Sequence, residues 1–253
     1  MNELYSIIEE AIRASSYILI KDANEIVKLR ASASPSLGQF YSKSITKFHS
    51  TIRKKLSVLE LNYNIISAGD VPALKQINTE NLTEEKQKRI IISIDGQDML
   101  AIGSVLFSIS VCAQEKNPET SRFDTVFSCL YSPCDGKFFS ASKRSGFSVN
   151  RVRSKRTNLI RNHTVFCTSI NLLKKENFSS ATVISNLNLG MASVACGQYD
   201  LFLGKCLDNK EAFSGIFMLQ EAGVTVKLSK NADNSFCIEA GYRPKTFSGN
   251  NNK

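Results

Sequence analysis

The feature that most limits what this chain can fold into is the run Arg89-Ile90-Ile91-Ile92-Ser93-Ile94, which ends in Asp95-Gly96-Gln97-Asp98. So dense a set of β-branched residues favours extended, buried backbone. A buried run ending in Asp-Gly brings a carboxylate, the preceding carbonyl and a free backbone N–H to one spot, which suits a divalent cation and a phosphate. Far downstream, Glu211 opens the helix-like segment Glu211-Ala212-Phe213-Ser214-Gly215. Two acids at element ends, distant in sequence, are how a fold assembles a site for a hard cation.

The rest of the chain supplies layers to pack around that run. Leu4, Ile7, Ile8, Ala11 and Ile12 keep helical spacing, as do Ile45, Phe48, Ile52, Leu56 and Leu59, so two amphipathic helices open the protein. Between them Ala31 to Gly38, rich in Ser, Ala and Pro, reads as an irregular connection. Short β-rich runs follow at Ile90 to Ile94, Val105 to Ala113, Thr125 to Tyr131, Lys137 to Ala141 and Gly146 to Val149, broken by Gly, Pro and Asp turns. This is the pattern of an antiparallel sheet packed on helices. Thr164 to Thr168 and Ala181 to Ser185 then read as buried strands and Leu189 to Cys196 as a small-residue helix. Glu211 to Ala222 reads as a helix stopped by Gly223, and Val224 to Leu228 as a returning strand. The expected organisation is an α+β unit over residues 1–150 that carries most of the site, and a smaller α/β unit over residues 151–253 that completes the cleft.

At 253 residues, 42% of them apolar, the chain can build a sizeable core. No apolar stretch reaches membrane-spanning length and the amino terminus lacks the features of a signal peptide, so no membrane partner and a cytoplasmic location are expected. The seven cysteines are odd in number, scattered and never spaced Cys-x-x-Cys, which favours buried reduced thiols over disulfides or a zinc site. The net charge of +9 is concentrated in one stretch. Between Asp135 and Glu176 there is no acid, while Lys143, Arg144, Arg151, Arg153, Lys155, Arg156 and Arg161 stand among its cations. A single-sign field attracts polyanions. With no aromatic platform or nucleic-acid motif beside it, a solvated surface is the plainer reading.

Ile94-Asp95-Gly96, with Gly103, Phe107-Ser108-Ile109-Ser110, Tyr131-Ser132-Pro133, Phe139-Ser140-Ala141, Gly146 and Asn150, resembles the first signature of the inositol monophosphatase family and the strands after it. Val194-Ala195-Cys196-Gly197-Gln198-Tyr199-Asp200, followed by Glu211 to Gly215 and Glu221-Ala222-Gly223, is similar to the second. The likeness covers nearly the whole chain and points to the bacterial SuhB branch. It implies a layered αβαβα fold, usually a homodimer, and magnesium-dependent hydrolysis of a small polyol or sugar phosphate. It further implies that Asp70, Asp95 and Glu211, with the Ile94 carbonyl, are the magnesium ligands. Gly96 and Gln97 would offer N–H groups to phosphate, and Gln97 would stand where a Thr orients the attacking water.

The chain also departs from that pattern. The first Asp of the middle segment is Ile92, which cannot coordinate a hard cation. The acid that pairs with the Thr falls near Ile45, in a helix offering Lys43, Thr46 and Lys47; the substrate-gripping Glu is Gly204, and Lys210 replaces a Trp. The resemblance therefore implies a phosphomonoesterase that is impaired or inactive, its Mg2+ weakly held or absent. The alternative is a non-catalytic protein that binds RNA or the transcription machinery, RNA polymerase included, through the basic segment 137–175, a role associated with the SuhB branch. Taken singly, Asp95 reads equally as a turn residue, Glu211 as a first-turn acid and Asp70 as a loop acid. His49 and His163 have no ligand-spaced partners and read as surface or packing residues.

Overall fold

A computed structural model of the protein describes residues 2–67, 87–154, 164–173, 179–207, 209–231 and 233–241. Of the residues singled out above, Asp70, Lys155, Arg156, Arg161 and His163 lie outside this set. The two opening helices are α1 (Asn2–Ala31) and α2 (Leu37–Leu56). They form where an apolar stripe recurs every turn: Ile8, Ile12, Leu19, Ala23 and Ile26 on α1, and Ser44, Phe48, Ile52 and Leu56 on α2 are all buried. The irregular link between them is narrower than the composition suggests. Gly38 is already helical, and the reversal is made by residues 32–36, with Ala33 at a φ of 49°.

The first sheet has seven strands in sequence order: β1 (Asn64–Ser67), β2 (Lys88–Asp95), β3 (Ser108–Lys116), β4 (Phe123–Ser132), β5 (Lys137–Ser142), β6 (Gly146–Val149) and β7 (Val152–Arg153). β1 runs parallel to β2 and every later pair is antiparallel. β1 and β7 were not foreseen, because four and two residues carry too little alternation to signal a strand. A short helix α3 (Gln97–Ala101) follows β2. The second sheet comprises β8 (Thr164–Cys167), β9 (Ser180–Val183), β10 (Leu201–Cys206), β11 (Thr225–Lys230) and β12 (Phe236–Gly241), in the order β11-β12-β10-β8-β9. β10 escaped the sequence reading although it is central, since Gly204 and Lys205 interrupt its apolar pattern. Helices α4 (Leu187–Ala195) and α5 (Phe213–Glu221) lie between the sheets.

The alternating helix and sheet layers of the expected sandwich follow. Ile90, Ile92 and Ile94 of β2 join a core with α1 and α2, whereas Leu130, Phe139, Ala141 and Phe147 from the same sheet pack in a second core with α4, α5 and the second sheet. The second core thus draws on residues from both sequence units. Among the described residues no helix is long and apolar enough to cross a membrane.

Helix α4 owes its close seat to Gly190. A Cβ there would lie 2.5 Å from the Phe166 ring and 2.6 Å from that of Phe202, both buried. Alanine gains about 1 kcal/mol of helix propensity over glycine, but overpacking a rigid core costs about 1–3 kcal/mol. Gly190→Ala is therefore expected to lower the urea midpoint despite the propensity gain; an unchanged or raised midpoint would mean that the two rings yield.

Candidate functional site

Strand β2 delivers Asp95 at its last residue, and the chain turns at once through Gly96 at a φ of 73°. A side chain is excluded there on two counts. The backbone is left-handed, and a Cβ would meet the carbonyls of Leu106 at 3.0 Å and Ser185 at 3.3 Å. The turn therefore sits hard against the segment that enters α4.

That segment carries two fully buried asparagines that sequence reasoning missed. Asn186 caps α4, its Oδ1 accepting from the Leu189 N–H at 3.2 Å and from Ser108 Oγ at 2.9 Å. Asn188 is the hub of the site. Its backbone N–H donates to Asp95 Oδ2 at 3.3 Å, and its Nδ2 donates both to that same oxygen and to the Glu211 carbonyl at 2.7 Å. Its Oδ1 accepts from the Gly215 N–H at 2.7 Å. The Asn-x-Asn pair opening a small-residue helix was the available signal, since polar residues entering so apolar a stretch need buried partners. Burial pushes the Asp95 carboxyl up to about 7; the Asn188 hydrogen bonds oppose the rise and the Glu211 charge adds to it.

Three neighbours define the rest of the turn. Gln97 Nε2 donates to the Ile94 carbonyl at 3.3 Å, so the backbone oxygen expected to face a metal is already covered. Tyr41 Oη on α2, one turn before Ile45, donates to the Gln97 carbonyl at 3.3 Å and approaches Gln97 Oε1 at 3.4 Å. A phenol thus stands near where the resemblance leads one to look for an acid. Burial, and then the Asp98 charge, raise its pKa. Ile92 is completely buried in the core under α1 and α2.

These elements frame a cleft of about 360 Å³. Asp95, Ile94, Gly96 and Gln97 line it from one sheet; Lys205 and Thr168 from the other; Glu211 closes it. Glu211 sits in a 3-10 turn (Asn209–Ala212), and the helix proper begins at Phe213 rather than at Glu211 itself. Lys205 Nζ pairs with Asp233 at 2.8 Å, which draws the Asp233 carboxyl well below the usual range. Among the described residues no group of three or more His, Cys, Asp and Glu side chains is gathered to hold a metal ion. Two carboxylates and a carbonyl do suit a single magnesium ion, which commonly takes one or two carboxylates and completes its octahedron with water and substrate phosphate. Such an ion would compete with Asn188 for Asp95 and with Gln97 for the Ile94 carbonyl.

Of the five described cations of the basic segment, Lys137, Lys143 and Arg151 have acidic partners. Arg151 donates through Nε and Nη2 to Glu9 Oε2 at 3.1 and 2.7 Å. Lys143 pairs with Asp124 at 3.4 Å and Lys137 with Asp135 at 2.9 Å. The backbone N–H groups of Arg144 and Gly146 are held by the two carboxylate oxygens of Glu221, at 3.2 and 3.1 Å. Arg153 reaches the hairpin at Gly146 and has no acidic partner among the described residues.

Two sheets alternating with helix pairs, with two acids from separate elements at one cleft, make this a layered α/β sandwich. Within that class the chain has the fold of the inositol monophosphatases. It is similar to the extragenic suppressor protein SuhB of Bartonella henselae, with a TM-score of 0.68 and 19% identity over 93% of this chain and 92% of that one. It is similar also to inositol monophosphatase II of Staphylococcus aureus MSSA476, with a TM-score of 0.67 and 14% identity over 96% and 92% of the two chains. Mycobacterium tuberculosis SuhB aligns with a TM-score of 0.66 and 17% identity over 95% and 91%. No family model and no curated protein sequence matches the chain.

Proposed function

We propose that this chain is an impaired phosphomonoesterase that acts on a small polyol or sugar phosphate with one magnesium ion. The observation that carries the reading is the convergence of Asp95, Glu211, the Ile94 carbonyl and the Gly96 turn on one cleft, although Asp95 and Glu211 are 116 positions apart in the chain. Asp95 and Glu211 would hold the ion, whose contribution when bound is to offset phosphate charge and acidify a water. The chain's own residues then do the positioning. The N–H groups of Gly96 and Gln97 meet phosphate oxygens, while Thr168, Ser185 and Lys205 face the alcohol side of the ester. With Gln97 in place of a hydroxyl and Ile45 where an acid would stand, the attacking water has no dedicated base. That loss alone is worth about 10²–10⁴ in rate.

The test is phosphate release from inositol 1-phosphate and a panel of sugar and nucleotide phosphates, with and without magnesium, alongside Glu211→Gln. Slow release that requires magnesium and falls at least about tenfold in the variant supports the reading, as expected for loss of an interaction of about 1.4 kcal/mol or more. Release from no substrate, or release indifferent to magnesium, overturns it. The competing proposal of an RNA or transcription-machinery partner rests on a segment in which three of the five described cations are paired, and on Lys155, Arg156 and Arg161, which lie outside the described residues.

A further inference from the structure

On the α1 side of the first sheet, away from the cleft, the β5–β6 hairpin and β7 form a second cavity of about 220 Å³. Ser140, Ser148 and Arg153 are direct cross-strand neighbours and share one face. Ser142 and Ser145 extend that hydroxyl row at the hairpin, and Arg151 closes the side toward α1. Ser140 Oγ and Ser148 Oγ lie 2.8 Å apart, and Ser148 Oγ also reaches the Ser140 carbonyl at 3.5 Å, a long contact whose hydrogen a better acceptor would take.

One observation behind the cavity wall and one in the cavity itself point to a missing acceptor. Tyr5 Oη, on α1 and outside the cavity lining, is buried with no hydrogen-bond partner. Buried tyrosine hydroxyls usually have one. The ring is covered by the Arg151 guanidinium, 5.2 Å from its centroid. Burial and the Glu9 charge raise the pKa of this hydroxyl; Ser140 and Arg151 are near enough to oppose them, yet neither completes a bond. The second observation is Arg153, an exposed cation over Gly146 whose Nη2 would be 3.3 Å from a Cβ there, with no acid paired to it among the described residues. Hydroxyl donors beside an unpaired guanidinium are the chemistry that takes a tetrahedral oxyanion, because each phosphate oxygen accepts from several N–H and O–H groups at once.

We propose that this hairpin cavity binds a small tetrahedral oxyanion, of the phosphate or sulfate type, through Arg153, Ser140 and Ser148, as a site separate from the cleft. Acids face it too. Glu9 is shared between Arg151 and Arg13, at 2.7 and 2.9 Å, and Glu221 holds the hairpin N–H groups from the other side. Both are engaged, so the guanidinium of Arg153 sets the local sign. The cavity holds one such group and offers no aromatic face on which a base would stack, which favours a discrete anion over a nucleic acid strand.

The test is titration of the protein with inorganic phosphate and with sulfate by calorimetry, repeated with a glycerol phosphate to separate free anion from ester and with an RNA oligonucleotide. Diffraction from tungstate-soaked crystals would locate the anion. The proposal expects millimolar or tighter binding that weakens at least tenfold in Arg153→Gln and is retained in Arg153→Lys, with tungstate against Ser140 and Ser148. Binding of the anion should be indifferent to Asp95→Asn, which separates this site from the cleft. No anion binding, binding unchanged by Arg153→Gln, or binding of RNA alone would each overturn it.

Discussion

Replacing Asp95 by Asn is expected to raise the stability of the metal-free protein at pH 8 while removing magnesium-dependent phosphate release. Asp95 is half-buried at the cleft, and loss of solvent raises its carboxyl to about 7, against an ordinary value of 3.8. Between about pH 4 and pH 7 the native state therefore holds a proton that the unfolded chain has already lost. Stability from this group is fully present below the unfolded value near 4 and is lost as pH rises through about 7, where the native protein must carry a poorly solvated charge. A shift of about three units corresponds to about 4 kcal/mol at pH 8. Asparagine keeps an oxygen to accept from Asn188 and carries no charge near Glu211. Denaturant midpoints of parent and variant, compared in chelator at pH 4 and pH 8, should coincide to within about 1 kcal/mol at the lower pH and separate in favour of the variant at the higher one. A variant less stable than its parent at pH 8 would show that Asp95 is held ionised by something stronger than Asn188. Addition of magnesium at pH 8 should stabilise the parent alone.

Ile92→Asp, the change that would restore the acid of the resembled family, is expected to destabilise the fold rather than rescue the chemistry. Ile92 is wholly buried and points with Ile90 and Ile94 into the core beneath α1 and α2. Truncating a core isoleucine costs about 2–5 kcal/mol, and an unpaired carboxylate in that apolar setting adds to this or forces the group to stay protonated. A loss of about 5 kcal/mol would match the whole stability of many domains, so soluble yield and the urea midpoint should both fall sharply. Ile92→Val, which keeps the packing, should cost no more than about 1.5 kcal/mol. If Ile92→Asp remained as stable as the parent and gained phosphatase rate, the side chain would have to reach the cleft and the core assignment would be wrong. Restoring a second metal position thus requires several coupled changes around β2.

Much of this architecture was legible because its elements are long and periodic. The apolar stripes of α1 and α2 and the five runs between Ile90 and Val149 fall where the structure has helices and strands. The elements that escaped were β1 and β7, too short to show a period, and β10, whose Gly204 leaves room for the ring of Phe202 on the same strand and for Leu187. At the site, Asp95, Gly96 and Glu211 were visible as residues at element ends. Asn188, Tyr41 and Lys205 were not, because each acts through a partner brought from elsewhere by tertiary packing. Gln97 stood out as a substitution, but that its amide covers the Ile94 carbonyl depends on a side-chain geometry no spacing rule encodes.

Asn188 also has a meaning for the order of assembly. Its bonds to Asp95 span 93 positions of chain, whereas those to Glu211 and Gly215 span 23 and 27. The second unit can close its own part of the network early, at small entropic cost, while the link to β2 must await docking of two sheets that are made from distant stretches. A polypeptide emerging from its amino terminus would therefore carry Asp95 for some time without its partner, with the carboxyl hydrated and ionised. Below about pH 7, the proton it holds in the native state is taken up only when the last layer settles into place.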